Sequence, residues 1–78
     1  MRTITLHGRP GCHLCDDARD ALERVRATNP FHLEEVDIEA DDALLARYLE
    51  RIPVIALDGE EIFELFVDEE ALRANHLE

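Results

Sequence analysis

The feature that most restricts the fold of this chain is a change in hydrophobic period near its start. Residues 3–7, Thr-Ile-Thr-Leu-His, alternate and are rich in β-branched side chains, a pattern typical of a strand. After a turn over residues 8–11, apolar residues recur with the spacing of one face of an amphipathic helix: Cys15, Ala18, Leu22 and Val25. A strand that feeds directly into a helix predicts a second strand parallel to the first, with a right-handed crossover.

The rest of the chain predicts three further strands and two further helices. Asp58-Gly59 is a dipeptide typical of a two-residue hairpin, so the strands on either side of it should pair antiparallel. The predicted segments are a strand over 31–38, a helix capped by Asp41, strands over 54–57 and 61–66, and a helix from 68–70 to about Asn75. The order β-α-β-α-β-β-α predicts an α/β fold, a mixed four-stranded sheet flanked by helices, in a single domain over residues 1–78.

The second predicted strand has an irregular pattern. Phe31 and Leu33 share one parity, whereas Val36 and Ile38 share the other. Either a bulge or a late strand start would produce this pattern.

Cys12 and Cys15 are the only cysteines, and they stand where the first strand gives way to the helix. Residues three apart on a helix lie about 5–6 Å from each other, and a disulfide needs Cα atoms about 4.4–6.8 Å apart. The pair can therefore close and reopen with little backbone motion. The helix N-terminus favours a thiolate at Cys12, and the apolar stripe favours a neutral thiol at Cys15. We expect Cys12 to attack a disulfide and Cys15 to resolve the mixed disulfide.

The charged residues around the cysteines act in both directions. Arg9 and a protonated His13 would stabilise a thiolate at Cys12, whereas Asp16 and Asp17 would oppose it if they faced the sulfur. The sequence leaves this balance open.

A structural disulfide and a metal site are weaker interpretations of the same pair. A bridge across so short a loop would constrain the unfolded chain little, and an N-terminus that begins as a strand, without a signal segment, predicts a reducing, cytoplasmic location. Tetrahedral zinc needs four ligands, whereas this chain has one cysteine pair and scattered histidines: His7, His13, His32 and His76. We expect no tightly bound metal or cofactor.

The charge balance restricts the partners. Acids outnumber bases by 19 to 8, a formal net charge of −11, which opposes binding to nucleic acid or to an anionic membrane. No apolar run approaches the roughly 20 residues that span a bilayer. We expect a monomer that binds neither nucleic acid nor membranes.

Three segments together resemble the glutaredoxin branch of the thioredoxin-like superfamily. The stretch over 6–15, Leu-His-Gly-Arg-Pro-Gly-Cys-His-Leu-Cys, resembles the family's strand and C-x-x-C turn, and residues 35–38 resemble its second strand. Residues 51–54, Arg-Ile-Pro-Val, resemble the loop whose proline is cis and faces the cysteines. The resemblance implies a thiol-disulfide oxidoreductase whose Ile52 backbone pairs with a substrate chain. The residues it places against substrate are Arg9, His13, Leu14, Ile52 and Pro53.

Three positions depart from that family. Residues 63–68, Phe-Glu-Leu-Phe-Val-Asp, stand where glutathione-binding members carry two glycines; Arg51 replaces a threonine, and His13-Leu14 replaces Pro-Tyr. We expect the substrate to be a protein or low-molecular-weight disulfide. Glutathione remains a candidate co-substrate, but these departures favour a protein dithiol as the partner. Two alternatives are a non-enzymatic interaction module with the same fold, and metal or iron–sulfur binding through Cys12 and Cys15.

Overall fold

A computed structural model describes residues 1–77, and it confirms the predicted α/β fold. Glu78, the last residue of the predicted domain, lies outside the described residues. The elements are β1 (Thr3–Gly8), α1 (His13–Arg26), β2 (His32–Asp37), a 3₁₀ turn (Ile38–Ala40), α2 (Asp42–Tyr48), β3 (Val54–Leu57), β4 (Glu60–Glu64) and α3 (Glu69–Ala71), which continues as a π-helical turn (Leu72–His76).

The four strands form one mixed sheet in the order β2-β1-β3-β4. β1 and β2 are parallel, as the crossover predicted, and the β1–β3 and β3–β4 pairs are antiparallel. The hairpin between β3 and β4 turns at Asp58 and Gly59, which both have positive φ, +50° and +91°. Positive φ at both central residues is the requirement of the tight turn that Asp-Gly predicts.

The sheet separates two apolar clusters. One contains most of the buried face of α1 and the C-terminal helical turn, and the other contains α2 together with Cys15 from the start of α1. Val54 and Ile55 are consecutive on β3 and belong to different clusters, because successive strand residues point to opposite faces. Every residue of β3 is buried, so this strand is covered on both faces.

β2 starts late and contains no bulge. Its ladder with β1 is unbroken from the Thr3–His32 pair to the Gly8–Asp37 pair. Phe31 and Ile38 are buried in different clusters, and Leu33 packs against the cluster of Phe31, so the change of parity marks two pairs of side chains on opposite faces of the sheet. A bulge does occur in the sheet, between β3 and β4, where the register shifts between Ile55 and Ala56.

β4 ends at Glu64, so the predicted strand over 61–66 is wrong in its last two residues. Leu65 has φ +73°, in the left-handed region, and therefore leaves the extended conformation. Its backbone N–H donates to the carbonyl of Pro53 at 2.8 Å, which fixes the chain after β4 to the loop before β3.

Side chains cap each helix at its start. Asp41 accepts from the Ala43 N–H at 2.7 Å, and Asp68 accepts from the Ala71 N–H at 2.9 Å, as expected for aspartates at N-cap positions. The longest helix in the described chain, α1, has 14 residues, and no helix within 1–77 is long and apolar enough to cross a bilayer.

One edge of the fold is tied together at the hairpin turn. The Asp58 carboxylate accepts from the Thr3 N–H and from the Arg2 guanidinium, both at 2.9 Å, and these bonds lower its pKa. Arg2 also donates to the carbonyl of His76. The start of β1, the hairpin turn and the C-terminal helical turn therefore meet at one place.

Candidate active site

Cys12 is the N-cap of α1. Its backbone is extended, its sulfur accepts from the Cys15 N–H at 3.2 Å, and its carbonyl accepts from the Asp16 N–H at 3.1 Å. The sulfur therefore occupies the position that a serine or aspartate oxygen occupies at other helix starts, among N–H groups that the helix leaves unpaired. The side chain is partly exposed, so a substrate can reach it.

Cys15 lies beneath Cys12 and is only 1% exposed. The pKa of its thiol is raised from 9.0 to about 11, mainly by burial and next by the hydrogen bond with Cys12. The backbone N–H of Arg9 acts in the opposite direction, with a smaller effect. Both cysteines are free thiols, and they differ in access as the sequence predicts.

Gly8 makes room for the buried sulfur. A Cβ at this position would lie 2.9 Å from Cys15 Sγ and 3.2 Å from Cys15 Cβ. Contacts this short do not occur between packed carbon and sulfur atoms, so a side chain here would displace Cys15. The residue pattern predicts only a turn at Gly8 and does not indicate this contact.

The Ile52–Pro53 loop lies beside the cysteine turn. The peptide bond between the two residues is cis, as the family resemblance implies. Ile52 and Cys15 belong to one buried cluster, and Cys12 packs against that cluster. The side chains of Ile52 and Pro53 are themselves buried, so a substrate would meet this loop through its backbone.

Arg51 links the same loop to β4 through hydrogen bonds. Its guanidinium donates to Glu61 and, at 2.7 Å, to Glu64, and it lies 5.5 Å from the centre of the Tyr48 ring. Tyr48 donates to Glu61 at 3.2 Å, and the Arg51 contact is the main cause of a lowered pKa at Glu61. Arg51 replaces a threonine of the resembled family, and here it joins the loop to β4.

The other predicted substrate residues, Arg9, His13 and Leu14, are exposed, and within residues 1–77 the side chains of Arg9 and His13 make no polar contact with Cys12. Arg9 pairs weakly with Glu39, at 3.8 Å, and lines a cavity of about 240 Å³ that Cys15 also borders. His13 and Leu14 are exposed between the cysteines. Within the described chain, no hydrogen bond or ion pair joins the side chains of Arg9 or His13 to Cys12.

A second cavity, about 200 Å³, lies along α1 next to the cysteine turn. Part of its lining comes from residues 63–68, the segment whose sequence departs from that of a glutathione site. Apolar side chains line this cavity from α1 and from the segment after β4: Leu14, Ala18, Ala21, Leu65, Phe66 and Val67. We call it the Leu14–Phe66 groove.

Residues 1–77 contain no cluster of three or more histidine, cysteine or carboxylate side chains that could hold a metal ion. Cys12 and Cys15 are therefore without further side chains of these types to complete a mononuclear site within the described chain.

We expect alkylation to modify Cys12 well before Cys15. Cys15 is buried, and because its pKa is raised to about 11, its thiolate is scarce until the pH approaches that value. Mass spectrometry after brief iodoacetamide treatment across a pH series measures both sites, and urea-unfolded protein, in which both thiols are exposed, is the control. Modification of Cys15 first would contradict the assignment.

Known proteins are similar to this chain in sequence and in structure. The family described as "Glutaredoxin-like domain (DUF836)" matches residues 3–77. A glutaredoxin-like protein of Dictyostelium discoideum, described as a YDR286C homolog, is 34% identical over 75 residues, which are 88% of this chain and 69% of that protein.

Two solved structures extend the comparison. The solution structure of protein Ne2328 from Nitrosomonas europaea has a TM-score of 0.82 and 29% identity, and the match covers 94% of this chain and 88% of that one. A thioredoxin variant from Halobacterium salinarum has a TM-score of 0.61 and 23% identity, with 92% and 68% covered. The second match shows that the fold is thioredoxin-like, and at this identity it shows the fold alone.

Proposed function

The chain belongs to the glutaredoxin-like domain family, and from that premise we propose that it is a thiol-disulfide oxidoreductase that acts through Cys12 and Cys15. One observation carries the proposal: a partly exposed cysteine caps a helix directly above a buried one, beside the Ile52–Pro53 loop. In this arrangement the exposed sulfur of Cys12 can react with the substrate, and the buried sulfur of Cys15 reacts in the second step.

In the first step, the Cys12 thiolate attacks one sulfur of a substrate disulfide. The substrate S–S bond breaks, one substrate thiolate leaves and takes up a proton, and a mixed disulfide joins Cys12 to the remaining sulfur. The N–H of Cys15, 3.2 Å from the Cys12 sulfur, is placed to stabilise negative charge there before the attack.

In the second step, Cys15 loses its proton and attacks the Cys12 sulfur. The substrate leaves as a thiolate, and the two protein sulfurs form a disulfide, so that two electrons pass from the protein to the substrate. Burial is the main cause of the raised Cys15 pKa, but the hydrogen bond and the charge of Cys12 add to it. Both of these contributions disappear once Cys12 is bonded to substrate, so Cys15 ionises more readily at the moment when it is needed.

The side chains of the segment after β4 favour protein partners over glutathione, both as the disulfide substrate and as the thiol that reduces the oxidised site. Glycines at this place would let a ligand approach the backbone closely, whereas Leu65 and Phe66 project side chains there. We therefore propose that glutathione reacts slowly with this site and that a dithiol protein is the physiological reductant.

The test is to incubate the oxidised protein separately with reduced glutathione and with a thioredoxin system, and to count the thiols that form. We expect rapid reduction by the thioredoxin system and slower reduction by glutathione. Cys12→Ser, which cannot form the intramolecular disulfide, is the control for non-specific reduction.

The non-enzymatic alternative predicts a different result. A cysteine pair that stays reduced in redox buffers across the range of about −120 to −300 mV, which spans known redox proteins, would overturn the proposed activity.

A further inference from the structure

Three of the five large exposed apolar side chains in residues 1–77 line one groove. Leu14, Leu65 and Phe66 are 50%, 47% and 65% exposed, and all three line the Leu14–Phe66 groove. Large apolar side chains that converge at the surface mark a binding site more often than chance exposure does. Leu14 stands between the two cysteines in the sequence, so one end of the groove adjoins the cysteine turn, although neither sulfur lines the groove.

The wall formed by Leu65 is fixed in an unusual conformation. Leucine rarely adopts a φ of +73°, because its Cβ then crowds the following carbonyl oxygen. The hydrogen bond from the Leu65 N–H to the Pro53 carbonyl holds this conformation and joins the groove to the loop beside the cysteines. The segment that lines the groove is thus bonded to a loop of the proposed active site.

The size of the groove suits a single side chain. Its volume, about 200 Å³, is below the roughly 300–1,000 Å³ of typical small-molecule pockets. Leu14 and Ala21 are seven residues apart on α1, about 10 Å along the helix axis, which is the reach of about three residues of extended chain.

The charges around the groove favour a cationic partner. Asp17, Arg24 and Glu69 line it, and Arg24 is already held by Glu69 through three hydrogen bonds of 2.9–3.3 Å. These contacts raise the Arg24 pKa, and so does the nearby charge of Asp20. The carboxylate of Asp17 is exposed and its charge also acts on Arg24, but within residues 1–77 no ion pair holds it, on a protein whose formal net charge is −11.

We propose that the Leu14–Phe66 groove binds the polypeptide segment that flanks the substrate disulfide. This segment carries net positive charge and one large apolar side chain two to four residues from the reacting cysteine. The proposal rests on the proposed oxidoreductase function and assigns its substrate class. It also excludes glutathione as a preferred substrate, because that anionic tripeptide has no large apolar side chain for the groove.

The test uses fully reduced protein in a single exchange with short peptides. Each peptide carries one cysteine as a mixed disulfide with nitrothiobenzoate. Attack by Cys12 on the peptide sulfur breaks that bond and releases the coloured nitrothiobenzoate thiolate. The peptides differ only in one flanking residue, which is leucine or serine, and in their charged residues, which are lysines or glutamates. Hydroxyethyl disulfide serves as a small neutral substrate, and its reaction is measured by mass spectrometry.

We expect the leucine–lysine peptide to react at least about tenfold faster than the serine–lysine peptide, since burying one large apolar side chain supplies a factor of that size. The leucine–glutamate peptide should be slower than the leucine–lysine peptide, and added salt should reduce this difference, because salt screens exposed charges.

Two variants test the groove itself. Phe66→Ser and Leu65→Gly should both reduce the preference for the leucine peptide toward unity. Leu65→Gly is the sharper variant, because glycine accepts a positive φ and the variant should melt no lower than the parent protein. Leu49→Ser is the matched control: Leu49 is 42% exposed, directly follows α2 and lies outside the groove, so the preference should be kept.

The outcomes separate the two proposals. Equal rates for all peptides, in a protein that still reacts with hydroxyethyl disulfide, would overturn the docking proposal alone. Failure to react with any of these disulfides would overturn the oxidoreductase function from which it proceeds.

Discussion

Replacing Cys12 with serine is expected to abolish disulfide exchange, whereas replacing Cys15 with alanine should stop the reaction halfway. A hydroxyl does not attack a disulfide, so Cys12→Ser loses the first step and should react no faster than buffer. Cys15→Ala keeps the exposed sulfur and loses the resolving one, so most of the protein should accumulate as a mixed disulfide. Intact-protein mass spectrometry after addition of hydroxyethyl disulfide measures both results.

The fold should survive the first substitution. Serine is among the best N-cap residues, and its oxygen can accept from the Cys15 N–H as the Cys12 sulfur does. Thermal melting of Cys12→Ser therefore serves as the control, and we expect a Tm close to that of the parent protein. Equal loss of exchange in both variants, without a trapped species in Cys15→Ala, would refute the assigned roles.

Gly8→Ala is expected to destabilise the protein and disturb the resolving cysteine. The added Cβ would come to 2.9 Å from Cys15 Sγ and 3.2 Å from Cys15 Cβ, and such overpacking costs about 1–3 kcal/mol. For a domain of this length the Tm should fall by at least about 4 °C. Differential scanning calorimetry measures the change, and the rate at which Cys15 resolves a mixed disulfide should change with it.

A double-mutant cycle identifies the contact that causes the loss. Cys15→Ala removes the sulfur that the new Cβ would meet, so Gly8→Ala should cost less in the Cys15→Ala background. We expect a coupling free energy of about 1 kcal/mol, within the range found for residues in direct contact. Additive effects would mean that the cost at Gly8 comes from another contact.

The sequence predicted the parts of this fold that local chemistry determines. The Asp58-Gly59 turn needs two positive φ angles, and its residue types are those that adopt them at little cost. The burial of Cys15 follows from its place on the apolar stripe of α1, and the capping position of Cys12 follows from the turn that precedes it. Both predictions depend on neighbours within one or two helical turns.

The parts that the sequence could not predict depend on distant residues. Leucine at residue 65 gives no signal of a left-handed backbone; the hydrogen bond to Pro53 and the end of β4 impose it. Arg51 was noted only for replacing a threonine, and its partners Glu61 and Glu64 come from the adjacent hairpin. The close approach of Gly8 to Cys15 arises from the packing of α1 against β1, which a residue pattern does not encode.

The junction of Arg2, Asp58 and His76 has a practical consequence for handling this protein. β1 begins beside this junction and ends at Gly8, in contact with Cys15, and six extended residues span roughly 20 Å. An affinity tag or an electrode linker joined next to Arg2 would thus be attached at the end of the molecule far from the sulfurs. In immobilised molecules the end that carries Cys12 and Cys15 would face the solution, where a large protein could still approach it.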